Sequence, residues 1–198
     1  MPHTYEAKTF TLPPLEGISD ESVKQHIGLY EGYVKNFNSM TALAGELMKE
    51  PEKNALAVAE LMRRRSFEFG GMRLHEIYFP QFAEGARTLD ENSALGKALA
   101  AQYGKAEHAI AEVRAVAGLR GPGWSLLYWD PAGKQFLVGF TGEQHQGHFA
   151  TLPIVLALDV WEHAHLLDYG AAGRGKYVDA FFKNLNWGVP EQRFETLA

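Results

Sequence analysis

The stretch Asp159-Val160-Trp161-Glu162-His163 sets a carboxylate and an imidazole four residues apart among apolar neighbours, Leu156, Leu158, Val160 and Trp161. If this stretch opens a helix, that spacing puts Asp159 and His163 on one face, where both can grip a single ion. An unpaired carboxylate in such surroundings is costly. Either a metal or a mutual Asp–His hydrogen bond would satisfy it. His26 falls on the stripe Val23, Ile27, Tyr30, Val34, and His75 lies within Arg73-Leu74-His75-Glu76-Ile77-Tyr78-Phe79. Each histidine taken alone reads as well as a core residue. Together the three histidines and the aspartate offer a nitrogen and oxygen donor set, which suits iron or manganese for redox work or zinc for hydrolysis. Spacing along the chain does not by itself bring the four together.

Composition narrows the choice. There is no cysteine, so disulfides, thiolate metal sites, iron–sulfur clusters and cysteine nucleophiles are excluded, while eight histidines are present. The 198 residues suit one domain or two small ones sharing a core. Nineteen Lys and Arg against 24 Asp and Glu leave a formal charge of −5, which argues against a nucleic-acid partner. The opening MPHTYEAKTF lacks the basic-then-apolar pattern of a secretory signal. The longest apolar stretch, Leu152 to Trp161, contains Asp159 and is half the roughly 20 residues that a membrane span needs. The expectation is a cytoplasmic protein without a membrane segment.

The elements that must position these residues can be read from punctuation and periodicity. Pro13 and Pro14 keep the opening extended. Ser19 offers an N-cap, Asp20 and Glu21 suit the first turn, and Val23, Ile27, Tyr30, Val34, Phe37, Thr41, Ala44 and Met48 continue at helical steps to about residue 49. A second helix is expected from about Asn54 to Phe69, weakened or broken at Gly70-Gly71, with helical spacing resuming toward Pro80. Two short helices follow, Asn92–Tyr103 and Lys105–Ala117, split by Gly104. Beyond the breaker cluster 118–123 come three strand-like runs, Trp124–Trp129, Gln135–Thr141 and Phe149–Leu158, the first two joined by the turn Asp130-Pro131-Ala132-Gly133. A helix is expected near Asp159 and another over Tyr177–Leu185. The sum is an α+β chain: an N-terminal antiparallel helical hairpin over 1–85, then an α/β C-terminal domain over 86–198 with a three-stranded antiparallel sheet, any metal site lying between them.

The ordered motifs resemble the iron/manganese superoxide dismutases over essentially the whole chain. The resemblance is carried by Phe10-x-Leu12-Pro13-x-Leu15, by His26 followed by Tyr33-Val34-x-x-Phe37-Asn38, by the histidine–aromatic segment at His75, and by Gly121-Pro122-Gly123-Trp124. Its most specific part is Asp159-Val160-Trp161-Glu162-His163-Ala164 followed by Leu167-Asp168-Tyr169, and Arg174-x-x-Tyr177 and Asn186-Trp187 close it. The resemblance implies one iron or manganese ion per subunit held by His26, His75, Asp159 and His163, with a solvent molecule as fifth ligand. It implies superoxide as substrate, converted to oxygen and hydrogen peroxide through two adjacent oxidation states, which zinc does not offer. It also implies a homodimer, or a tetramer built from it, in which Glu162 reaches the partner's copy of His163. Trp124 and Trp161 would wall the pocket and Tyr33 would stand at the substrate channel.

Departures from the family pattern set further expectations. Tyr30 stands where the family often has a histidine four residues after the first ligand, and the step from His26 to Tyr33 is one residue shorter than usual. One deleted residue turns a helix by about 100°, so a local bulge should be missing here. Ala164-His165-Leu166 replaces a common Ala-Tyr-Tyr, so Tyr30 and His165 are candidates for a rebuilt gate. The family's hydrogen-bond donor to the bound solvent comes either from a position four before the second ligand, here Gly71, or from the loop Glu143-Gln144-His145-Gln146. Gly71 has no side chain, so the loop must supply it, with His145 ranked first and Gln144 second. His3, His108 and His148 match no motif and read as surface or capping residues. Lys35 and Arg174 are candidates for focusing the anionic substrate. Two other readings remain at this point: a catalytically inactive relative kept as a structural or interaction subunit, and a different non-haem iron enzyme.

Overall fold

A computed structural model describes residues 3–197. Met1, Pro2 and Ala198, the outer ends of the two sequence segments, lie outside it. Ser19 caps the first helix, its hydroxyl accepting the Ser22 amide, and α1 runs Asp20–Leu47 without a bulge between His26 and Tyr33. A three-residue connection returns the chain into α2, Pro51–Tyr78, which begins on a proline whose missing N–H is no loss in the first turn. The two helices pack antiparallel as the expected hairpin.

The break expected at Gly70-Gly71 does not occur. α2 is continuous through both glycines and passes at Phe79–Phe82 into a turn of 3-10 helix around Pro80. Two neighbours explain the pair. A Cβ on Gly70 would lie 2.0 Å from the Gln144 carbonyl oxygen, and one on Gly71 would lie 2.6 Å from the Tyr33 ring. Glycine is used here for close approach, not for bending.

Two short helices, α3 (Ala94–Tyr103) and α4 (Ala106–Ala117), are separated at Gly104, whose φ of 80° suits a residue without a side chain. Strands β1 (Gly123–Asp130), β2 (Gln135–Gly142) and β3 (Ile154–Asp159) form an antiparallel sheet in the order β2-β1-β3. β3 starts five residues later than the apolar run from Phe149 suggested, because Thr151 sits at φ 67° and Pro153 precedes the strand. The chain ends in α5 (Glu162–Tyr169), α6 (Arg174–Asn184) and α7 (Gly188–Glu195). The last was not anticipated; its Gly188 and Pro190 fall in the first turn, where proline is tolerated. The fold is α+β, a helical hairpin followed by an α/β domain with a three-stranded antiparallel sheet.

β1 is the central strand, buried on both faces for seven of its eight residues. Its own Trp124 and Tyr128 share the core with Phe79, Phe82, Phe136, Tyr177 and Phe181, all fully buried. Gln81 ties the hairpin to the sheet. Its amide accepts the Ala157 N–H at 3.0 Å and donates to the Ala157 carbonyl at 2.7 Å, standing in for a neighbouring strand on β3. Among the described residues no helix is long and apolar enough to cross a membrane.

Candidate metal site

His26 of α1, His75 of α2, Asp159 at the last residue of β3 and His163 in the first turn of α5 each present one donor atom, and these atoms lie within 4.8 Å of one another. Asp159 is not on a helix with His163. The strand ends at Asp159, Trp161 caps α5, and the reversal between them makes the meeting. The Trp161 amide donates to Asp159 Oδ1 at 2.8 Å, which turns Oδ2 inward. That oxygen lies 3.1 Å from His163 Nε2, 3.2 Å from His26 Nε2 and 3.6 Å from His75 Nε2.

The hydrogen bonds fix which nitrogen faces the centre. His75 Nδ1 is 2.6 Å from the Gly71 carbonyl, which only accepts, so Nδ1 carries the proton and Nε2 keeps its lone pair. That Nε2 is buried and has no hydrogen-bond partner. Burial, then the neighbouring His26, brings the His75 pKa down to about 3, and burial likewise lowers that of His26. Burial alone would push the Asp159 carboxyl up, but the imidazoles of His163 and His26 outweigh it and hold the group below its ordinary value. The site therefore offers His26 and His75 as neutral imidazoles and Asp159 as an ionised carboxylate, the protonation states a cation requires, with His163 Nε2 beside them. An unpartnered buried nitrogen that faces two further imidazoles and a carboxylate fits an iron or manganese ion better than it fits a metal-free core.

Large rings wall the cluster. The Trp124 ring meets His75 edge-on at 5.1 Å, and the Trp161 ring stacks on His163 at 6.0 Å with 15° between planes. Trp124 lies directly across from Asp159 in the β1–β3 ladder and across from Thr141 in the β1–β2 ladder. The loop after β2 thus returns beside the same tryptophan. Gln144 is fully buried there: its Oε1 accepts from Trp124 Nε1 at 2.8 Å, and its Nε2 donates to the Tyr33 hydroxyl at 3.0 Å. The Tyr33 ring in turn lies 5.3 Å from His75.

Of the two loop residues, Gln144 is the one whose side chain bonds Trp124 and Tyr33. His145 bonds neither Trp124 nor Tyr33; its ring packs against Phe67, and its Nδ1 lies 3.6 Å from Glu143. Tyr30 is fully buried, but its hydroxyl is spent outside the cluster, accepting from the Lys8 amide at 2.8 Å and donating to Glu76 at 3.3 Å. His165 is buried within the subunit, facing Tyr177 of α6 at 6.1 Å, with neither ring nitrogen partnered. Glu162 stands exposed beside His163. Arg174 donates to the Leu119 and Gly121 carbonyls at 2.6 and 2.9 Å, which ties it to the turn before β1.

Residues 91–193 match the family model described as iron/manganese superoxide dismutases, C-terminal domain. An iron superoxide dismutase of Aquifex aeolicus is 32% identical over 98% of this chain and 92% of its own length, and one of Cupriavidus metallidurans is 34% identical over 96% of each. A manganese superoxide dismutase of Haloferax volcanii is 32% identical over 98% of this chain and 93% of its own length. The chain belongs to the iron/manganese superoxide dismutase family.

Within that family framework, two residues read as unimportant in the sequence acquire structural roles. Gly70, taken as a helix breaker, gives room to Gln144. His148, taken as a bystander, bonds Tyr128 at 2.8 Å and the Gln144 carbonyl at 3.3 Å. A signal for the first was present: a glycine pair four and five residues before a candidate ligand in an otherwise helical run. For His148 there was none.

Proposed function

We propose that this protein is a superoxide dismutase whose ion is held by His26, His75, Asp159 and His163. The reading is carried by one observation: in a chain of this family, donor atoms of three histidines and one aspartate from four separate elements converge within 4.8 Å, one of them a buried nitrogen without a hydrogen-bond partner. When bound, one iron or manganese ion supplies reversible one-electron chemistry, so that one superoxide is oxidised to dioxygen and a second, taking up two protons, is reduced to hydrogen peroxide.

The chain's own residues supply geometry and proton control. The Gly71 carbonyl keeps the proton of His75 on Nδ1 and so keeps Nε2 available. Trp124, Trp161 and Phe67 exclude bulk water and organic substrates. Burial pushes the Tyr33 phenol up to about 12, so it stays protonated at neutral pH. Because its oxygen accepts from Gln144, its own O–H remains free to donate to a small anion or a water. Gln144 is the loop residue we assign to the open side of the cluster.

We also infer that the working unit is a homodimer. Leu29, Leu166 and Leu167 are exposed, and with Gln25 and Gly28 they line a groove that reaches His163, with the exposed Glu162 beside it. A second copy seated there would cover this apolar surface and bring its Glu162 near His163.

The decisive experiment is metal analysis paired with superoxide-dependent activity after separate loading with iron and with manganese. One ion per subunit with activity is the expected outcome. Stoichiometric metal without activity would instead support an inactive relative. His163→Ala should lose both metal and activity, and a variant that retains its metal would sink the ligand assignment. Sedimentation of Glu162→Ala checks the dimer, which should weaken.

A further inference from the structure

The hydrogen bond between Gln144 and Tyr33 depends on where a loop holds its backbone. That loop joins β2 to β3, and besides Thr151 two of its backbone positions, both next to or near Gln144, lie in the left-handed region. Glu143, immediately before Gln144, sits at φ 56°, and Gly147 sits at φ 89°. For a residue with a side chain, the left-handed region costs about 1–2 kcal/mol and persists only where surrounding contacts over-determine it. Side chains at both ends of the Gln144 residue provide those contacts.

On one side the Gln144 carbonyl is pressed against α2 at Gly70, close enough that a Cβ there would lie 2.0 Å away. On the other, His148 Nε2 lies 3.3 Å from the same carbonyl. A carbonyl only accepts, so this nitrogen carries the proton. His148 Nδ1 is then the acceptor for the Tyr128 hydroxyl at 2.8 Å. Burial lowers the His148 pKa, which favours the neutral ring this arrangement needs. Tyr128 is anchored in the middle of β1, fully buried, four residues from Trp124, the other partner of the Gln144 amide. One strand therefore holds Gln144 twice: through Trp124 at its side chain, and through Tyr128 and His148 at its backbone.

We propose that His148 is a positioning residue for this centre, fixing the Gln144 carbonyl against Gly70 so that its amide stays between Trp124 and Tyr33. It touches no ligand and does not face the cluster. It acts through Gln144, so the inference rests on the reading of Gln144 as the residue on the open side of the site. Gly70 is the matching half of the device: the carbonyl can be pushed onto α2 only because α2 has no side chain there.

The test uses the iron-loaded protein and azide, a small anion whose binding is followed by visible absorption. Gln144→Ala should change azide affinity several-fold and alter the ratio of iron to manganese activity. His148→Phe should move both in the same direction by a smaller factor, about threefold. His148→Gln, which keeps a donor for the carbonyl, should restore most of the change. Val113→Ala, a core truncation in α4, serves as the control for simple destabilisation, lowering Tm without moving either readout. Should His148→Phe not fold, Tyr128→Phe removes only the hydroxyl that orients the imidazole and should shift azide affinity the same way. The proposal is overturned if the His148 and Tyr128 variants lower Tm as Val113→Ala does while azide affinity and metal preference stay unchanged. If Gln144→Ala itself changes neither readout, the assignment of Gln144 fails and this inference falls with it, a result distinct from a Gln144 effect that His148 does not share.

Discussion

The two ends of the helical hairpin are made from the same kind of helix and do opposite things. At the tip, Leu43, Met48 and Leu56 are exposed and charges three residues apart pair locally, Glu46 with Lys49, Glu50 with Lys53 and Glu60 with Arg63, all on the surface. Such pairs contribute at most a few tenths of a kcal/mol each. At the base, His26, Tyr30, Val34, Met72, Leu74, His75 and Tyr78 are buried, and neighbouring elements press directly onto the backbone at Gly70 and Gly71. Helix geometry is uniform along the hairpin. What differs is whether a sheet and a loop lie against it.

That contrast can be broken most severely at the base. His75→Ala should abolish metal retention and lower activity by more than about 100-fold, since loss of groups that merely orient a ligand already costs 10–100-fold. Metal content and activity of the purified variant check it. Next in size is Gly70→Ala. In an exposed helix this change stabilises by roughly 0.5–1 kcal/mol. Here the new methyl meets a backbone carbonyl, so a loss of about 1–3 kcal/mol in denaturant unfolding is expected, together with altered activity. Gly45 at the tip has no atom within 4 Å of an added Cβ, so Gly45→Ala should gain about 0.5–1 kcal/mol with unchanged activity. If both substitutions shift stability in the same direction, the contrast between the ends is wrong.

Acid should also separate the two ends. The folded-state pKa of His75 lies below its ordinary 6.5, at about 3. Between those values the unfolded chain binds the proton and the native site does not, so the contribution is complete above pH 6.5 and is lost as pH falls toward 3. Each such imidazole costs up to about 1.4 kcal/mol per pH unit in that window. Metal release and unfolding followed from pH 7 to 3 should coincide, and His75→Ala should flatten this limb while Glu60→Gln at the tip leaves it unchanged. The smallest effect is expected in the loop: Gln144→Ala should change activity more than His145→Ala, because only Gln144 bonds both Trp124 and Tyr33. Equal activities in the two variants would return His145 to contention.

Much of this was legible before any coordinates. The N-cap at Ser19, the helical stripe through His26, the strand–turn–strand around Asp130 and the ordered motifs depend on local chemistry, and local chemistry is written in sequence. The four donor residues were legible by type and by family pattern. Their convergence was not, because it arises from a strand end, a reversal at Trp161 and two helix faces, one of them brought from 133 residues away. Gly70 was misread because a glycine pair signals weakness when only the helix is considered and signals contact once the partner is known. His145 was ranked above Gln144 on family pattern, which does not register which way the backbone turns two adjacent loop residues, and here Glu143 before them sits at φ 56°. The sequence by itself determined the donor set, the absence of sulfur and the elements that carry the donors. Only the tertiary structure decided which nitrogen of His75 faces inward, which loop residue reaches Tyr33 and which glycine makes room for it, because those depend on distances of a few ångströms between segments that no local pattern connects.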